Sequence, residues 1–272
     1  MRLLFNIISA TYKRNKIVTK RVFPWTLIIG RFIAGFFTVI FPFFIYTFFL
    51  KGSLSESFNK YTNQSDYITY IVLGAAFFIL SRSTIMEVGR ALIKELREGT
   101  LEPFLLSSAS RMGYFVGCLA EQLGRSLLQL SVMLLVGIIF GAKIIGIFSF
   151  QSIIVIILAI LGFFSMSLLL SSIMLYTRDT YITQNTLFGL MGFVSGVSFP
   201  VEFLPTWLQY ISHLFPMTAA LKLFRLVVIS NQSIMLHMDL ILELLILSGV
   251  YMLIGVLWFN KLERKLVENI FG

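Results

Sequence analysis

The chain reads as an all-α polytopic membrane protein, a single transmembrane domain over residues 1–272. Three observations carry that reading. Apolar residues make up 57% of the chain and charged residues only 13%, against the ~25% charged residues of a soluble domain. Six runs approach the ~20 apolar residues that a helical span requires. The net charge of +9 is not spread evenly but gathers in alternate connecting segments. That distribution answers to membrane topology, so the basic balance is not read as a nucleic-acid footprint.

Residues 1–23 lack the long apolar core and small-residue cleavage site of a secretory signal, so they are expected to persist as structure. Leu4, Ile7, Ile8 and Thr11 share one helical face, with Arg2, Asn6, Ser9 and Lys13 opposite. This is the pattern of an amphipathic helix lying on the inner leaflet. The basic cluster Lys13, Arg14, Lys16, Lys20 and Arg21 follows, and anionic lipid headgroups attract such clusters. A positive-inside anchor and a mechanical element share these features.

The spans are expected at 25–50, 67–81, 113–140, 153–176, 181–199 and 240–259. The first is rich in phenylalanine, Phe37 among them, with Pro42 as a kink and Arg31 placed to snorkel to its inner end. The second is expected to extend as a helix past the membrane through Glu87 and Arg90. On the third, Glu121 and Arg125 at i, i+4 are placed to pair. With the N-terminus inside, fifteen lysines and arginines fall in inner segments: six in 1–23, five in 82–112, Arg178, and three after the last span. Five fall in outer segments, so both termini are expected in the cytoplasm and the span count is even.

Residues 82–112 form a charged island between spans. Glu98, Gly99 and Thr100 signal a helix start, with Thr100 as N-cap and Glu102 and Pro103 suited to the first turn. Leu101, Phe104, Leu105 and Ala109 then fall near one face, which predicts a short helix over 101–110. Stiffly joined to membrane helices, it could receive a push from a soluble partner; a solvated loop helix that docks on nothing would look the same.

Residues 200–230 are too apolar for an ordinary loop, yet Pro200, Pro205 and Pro216 break them, and Glu202, His213, Lys222 and Arg225 rule out a simple span. Two short helices are expected, at 205–214 and 217–228, as a re-entrant pair dipping in from the outer face. With Trp207 they are candidates for an outer gate; a surface-lying hairpin is the alternative.

Gln184, Asn185 and Thr186 are polar within the fifth span and are expected to face an interior cavity, with Phe37 as a greasy wall for an amphiphile. Gly113/Gly117, Gly137/Gly141 and Gly192/Gly196 permit close helix approach. Asp239 and Glu243 sit at the outer end of the last span, and His213 and His237 stand isolated in sequence. The lone cysteine, Cys118, excludes a disulfide framework within one copy. No Gly-x-x-x-x-Gly-Lys-Ser/Thr loop, His/Glu metal motif or Gly-x-Ser-x-Gly elbow occurs, so an enzyme is not expected.

Two stretches resemble the permease subunits of type-2 ABC exporters, closest to the daunorubicin-resistance and nodulation-factor type. Glu95-Leu96-Arg97-Glu98-Gly99-Thr100-Leu101-Glu102 with Leu105-Leu106 is similar to that family's motif ahead of its coupling helix. Ser195-Gly196-Val197-Ser198-Phe199-Pro200, Leu204-Pro205, Trp207-Leu208, Pro216-Met217-Thr218 and Arg225 resemble its signature ahead of the last span. Pro103 inside the first motif and Ala109, where many members have proline, are departures that bear on where the coupling helix starts. The resemblance implies a bacterial plasma-membrane exporter in which two permease chains, identical or sister, pair over two ATPase subunits. ATP and magnesium would belong to those partners and no cofactor to this chain. Glu98, Gly99, Thr100, Leu101, Glu102, Phe104 and Leu105 would couple to the ATPase, and Pro200, Pro205, Trp207, Pro216 and Arg225 would shape the outer exit. The cargo class left open is a hydrophobic or amphiphilic compound (drug, antimicrobial peptide, lipopeptide or lipid) or a lipid-linked glycan. A membrane scaffold without transport is the third reading.

Overall fold

The computed structural model describes residues 2–22, 26–49, 58, 62, 66–179 and 181–271. Eleven α-helices follow one another among them: α1 (Arg2–Val22), α2 (Thr26–Phe44), α3 (Tyr67–Gly89), α4 (Ala91–Arg97), α5 (Leu101–Leu106), α6 (Arg111–Ile139), α7 (Phe150–Thr177), α8 (Tyr181–Val194), α9 (Thr206–Ser212), α10 (Pro216–Val228) and α11 (Met238–Phe271). No strand occurs among the described residues. Local chemistry sets several boundaries. Asp66, Ser110 and Ser149 accept hydrogen bonds from the backbone N–H groups of Thr69, Gly113 and Ser152 at 3.2–3.3 Å, which satisfies one open donor at each helix start. Pro42 lies inside α2, and the chain then widens into a π-helical turn at Ile45–Phe49, an accommodation typical of an interrupted hydrogen-bond ladder.

Among the described residues four helices are long and apolar enough to cross a membrane: α3, α6, α7 and the helix ending the chain. α9 and α10 together make a fifth candidate, bent by 90° at their break, either a broken span or a re-entrant loop. The chain is therefore a multi-pass membrane protein. The first and fifth expected spans appear as shorter apolar stretches, Gly35–Phe48 and Asn185–Val194. The expected ends of the first span, 25 and 50, and the side chains of Arg31 and Gln184 lie outside the described residues. The span expected at 181–199 stops at Val194. Gly196, at φ +76°, turns the chain out of the helix, and fourteen residues are too few for the ~20 that a straight span needs.

α7 is the spine. It packs along α11, α3 and α10. Phe163, Leu73, Met217, Leu223 and Leu244 are fully buried where these four helices meet. Ser165, Ser167 and Ser172 on α7 donate back to carbonyls three or four residues earlier, so these hydroxyls are satisfied within the helix. A second cluster at the far end of the bundle joins Val88, Leu92, Leu101, Leu105, Tyr114, Phe164 and Phe259. That cluster anchors the short helices α4 and α5 to the membrane helices.

Candidate functional site

The second cluster supports a polar junction centred on Glu95, whose side chain is only 3% exposed. Its Oε1 accepts from Arg14 Nη1 at 2.5 Å and from the Tyr114 hydroxyl at 2.8 Å. Its Oε2 accepts from Arg14 Nη2 at 3.2 Å and from the Thr100 hydroxyl. Arg14 also reaches Glu98 at 3.1 Å. One carboxylate thus ties together α1, α4, the start of α5 and α6. Burial pushes the Glu95 carboxyl up, but the donors Arg14, Thr100 and Tyr114 outweigh it and hold the group below its ordinary 4.5.

Steric fit aligns the junction. A Cβ on Gly117 would lie 2.6 Å from Thr11 Cβ and 3.0 Å from the Ile8 carbonyl oxygen, so only glycine lets α1 lie this close to α6. The face of Ile7, Ile8 and Thr11 therefore packs on α6, while Leu4, Phe5 and Ile17 are exposed. On the other side, Arg111 donates to the carbonyls of Phe104, Leu105 and Ala109 at 2.6–3.0 Å and pairs with Glu263 of α11 at 2.8 Å. It also lies 4.8 Å from the Phe104 ring centroid.

The helix expected over 101–110 is shorter, ending at Leu106, because Ser107 turns extended (ψ 155°) and Arg111 takes up the free carbonyls. Thr100 occupies the N-cap position without a side-chain cap, its hydroxyl being drawn to Glu95 instead. Gly99 is left-handed (φ +71°) and turns the chain between α4 and α5. Leu101 and Leu105 face the chain's own core and Phe104 packs half-buried against Tyr114, while Glu98, Glu102, Pro103 and Leu106 face outward.

At the opposite end, Arg225 is buried on α10. Its Nη1 donates to the Gly196 carbonyl at 2.6 Å, and its Nη2 donates to the Tyr70 and Val197 carbonyls, each at 2.9 Å. The guanidinium stacks 3.4 Å from the Tyr70 ring centroid. Tyr70 returns a bond from its hydroxyl to Gly196 at 3.2 Å. A Cβ on Gly74, one turn along α3, would run into the Val197 carbonyl and Arg225 Nη2. Pro200 is buried, Pro205 precedes α9, and Pro216 occupies the first turn of α10 against Gly162; Trp207 is exposed. The two histidines are not isolated in space. His213 Nδ1 lies 2.7 Å from Glu243, and His237 Nε2 lies 2.6 Å from Gln232.

Of the expected cavity residues, Phe37 lines a cavity of about 740 Å³. Phe41, Phe78 and Ile79 line it with apolar side chains, and Arg82, Glu87, Gln122 and Gln129 with polar ones. Asn185 and Thr186, expected at an interior cavity, are exposed on the single chain. α8 buries Phe188, Met191 and Val194, which rotates Asn185, Thr186 and Gly189 to the chain's surface. Arg125 pairs with Glu121 at 2.6 Å, as its spacing predicts, and also with Glu87 at 3.2 Å. Arg14, Tyr70, Glu95, Arg111 and Tyr114 were not among the expected site residues. Glu95 was legible only as part of the motif, and the others only through partners distant in sequence.

A family model described as "ABC-2 type transporter" matches residues 15–229. No curated protein matches the chain.

Proposed function

The chain belongs to the ABC-2 type transporter family, whose permeases work with an ABC ATPase, and from that premise we propose that it is the permease subunit of an ATP-driven exporter of a hydrophobic or amphiphilic compound. Six spans, with the short α2 and α8 as the first and fifth, and cytoplasmic termini complete the architecture. Its type is that of the daunorubicin-resistance and nodulation-factor permeases, in a bacterial plasma membrane. Two permeases pair over two ATPases, which supply the ATP and magnesium chemistry.

The observation that carries the coupling role is the Glu95 junction. Because α1, α4, α5 and α6 share one buried carboxylate, force on α5 reaches two membrane-connected helices without an intervening flexible loop. The docking surface is the outward face of Glu98, Glu102, Pro103 and Leu106; Gly99 and Thr100 set the turn, and Leu101, Phe104 and Leu105 form the inner grip. The pair α9–α10, pinned by Arg225, shapes the outer exit together with Pro200, Pro205, Trp207 and Pro216. The cavity behind Phe37, lined by both apolar and polar side chains, suits an amphiphile and carries a single carboxylate, Glu87, which favours that cargo over a glycan. Asn185, Thr186 and Gly189, polar or small at membrane depth on the surface of α8, suit contact with the second permease rather than with lipid.

Native mass spectrometry after gentle extraction tests this reading. Two ATPases with two permeases are expected. A chain that emerges alone, or with a partner that hydrolyses no ATP, while a known transporter complex survives the same treatment, overturns it.

A further inference from the structure

A second cavity, about 380 Å³, opens between α1, α4 and α6, beside the Glu95 junction. Its walls are charged. Glu87, Glu98 and Glu121 line it, and each is engaged from the side: Arg125 holds Glu87 and Glu121, and Arg14 holds Glu98 together with Glu95. Arg90, Lys94 and Arg97 follow at i, i+4 and i+7, which aligns three further cations along one helical wall. Among the described residues the groove is bordered by Arg14, Arg90, Lys94, Arg97 and Arg125 and by four carboxylates, and Arg90 and Arg97 have partners of their own. Lys94 is exposed and makes no ion pair with any described residue. The facing wall is α1, which contributes the hydrogen-bonding side chains of Asn15 and Thr19.

The groove's depth follows from its neighbours. α1 exposes Leu4, Phe5 and Ile17 along with Lys13, Lys16 and Lys20, the composition of a helix at a membrane surface. α3 carries Arg82 and Glu87 in its last turns, and Arg90 follows directly after its end. With α1 on the membrane surface, as its composition suits, the groove between these helices would lie at the level of lipid headgroups.

We propose that this groove is a binding site for the phosphodiester of an anionic phospholipid. The phosphate lies against Lys94 and the cationic wall of α4, and headgroup hydroxyls face Asn15 and Thr19. The proposal rests on α1 lying at the membrane surface, not on the identity of the cargo. A lipid held there bridges α1 and α4 across the same gap that Arg14 spans, so it stabilises the junction.

The test uses the full chain purified in its complex and delipidated into neutral detergent. Phosphatidylglycerol, phosphatidylcholine and inorganic phosphate are titrated separately, with thermal stability and retained lipid by native mass spectrometry as readouts. Saturable stabilisation by phosphatidylglycerol alone is expected. Lys94→Ala should weaken its apparent affinity about fivefold, as expected for removing one cation near a headgroup, while Lys265→Ala, an exposed lysine on α11, should leave it unchanged. Equal effects of the two substitutions would reduce the interaction to diffuse attraction and overturn the site. Stabilisation by inorganic phosphate that also depends on Lys94 would overturn the lipid as ligand. Phosphatidylcholine performing as well as phosphatidylglycerol would overturn the charge selectivity on which the proposal stands. Each outcome is independent of whether an ATPase accompanies the chain.

Discussion

Gly117→Ala is the sharpest perturbation of the Glu95 junction, because it adds one methyl group where α1 meets α6. The new Cβ would sit 2.6 Å from Thr11 Cβ and 3.0 Å from the Ile8 carbonyl oxygen. Carbon atoms pack at about 3.5–4.0 Å, so α1 must move away by about 1 Å at Thr11. Because Ile8 presents backbone, no side-chain rotation relieves the clash. Arg14 lies one turn further along α1, and its bonds to Glu95, at 2.5 and 3.2 Å, lengthen with the same movement. Overpacking of this kind costs about 1–3 kcal/mol, and the gain from replacing glycine in a helix returns about 0.5–1 kcal/mol. A net loss of about 1–2 kcal/mol is expected, or a few degrees in Tm. Gly124→Ala on the same helix meets nothing within 4 Å and should be neutral or slightly stabilising. Thermal unfolding in lipid nanodiscs, with amide exchange of residues 2–22, distinguishes them. Faster exchange confined to α1 and α4 in Gly117→Ala, with reduced coupling of ATP hydrolysis to export, is the expected result. If Gly117→Ala and Gly124→Ala unfold together and α1 exchanges as in the wild type, the close seating of α1 on α6 is not what holds the junction.

Three further expectations follow from the same geometry. Arg225→Met leaves the carbonyls of Tyr70, Gly196 and Val197 without their charged donor and should destabilise the chain by about 3 kcal/mol, with exchange rising first at 195–200; unchanged protection there would show that the clamp is dispensable. Glu95 has a folded-state pKa below its unfolded value, so its contribution is complete above pH 4.5 and lost as pH falls through the lowered value; Glu95→Gln should remove that acid-dependent loosening of α1, measured by exchange against pH. Substitutions on α5 should separate by face. Leu106→Asp, on an exposed residue, should leave Tm unchanged while uncoupling ATPase activity from export. Leu101→Asp and Leu105→Asp, on buried residues, should lower Tm and expression as well; equal stability of all three would contradict the facing of α5.

Much of the architecture was legible along the chain because it depends on local patterns. Long apolar runs specified α3, α6, α7 and α11, and the helical extension of the second span past Ser81 was expected from residue order alone. Pro205 and Pro216 marked the starts of α9 and α10 because a residue without a backbone N–H is tolerated there. The spacing of Glu121 and Arg125 specified their ion pair. The end of α5 at Leu106 was not legible, because its carbonyls are taken by Arg111 with help from Glu263 on α11, 152 residues further along.

What the sequence by itself determined is the class, the helical segments and the two stretches to which the proposed function assigns coupling and exit. Periodicity, proline placement and charge asymmetry are properties of neighbouring residues, and the chain carries them before it folds. Tertiary structure alone decided which side of each stretch is buried and which is exposed. Thr100 has the residue type of a cap but bonds to Glu95, and Leu101 and Leu105 are buried in the chain's own core rather than exposed. Asn185 and Thr186 lie on the chain's surface because the packing of Phe188, Met191 and Val194 sets the rotation of α8. Arg14 finds Glu95 across 81 residues, and Arg225 finds Tyr70 across 155. A buried charge must be satisfied by whatever donors or acceptors the packed helices bring to it, and those partners exist only once the helices are packed.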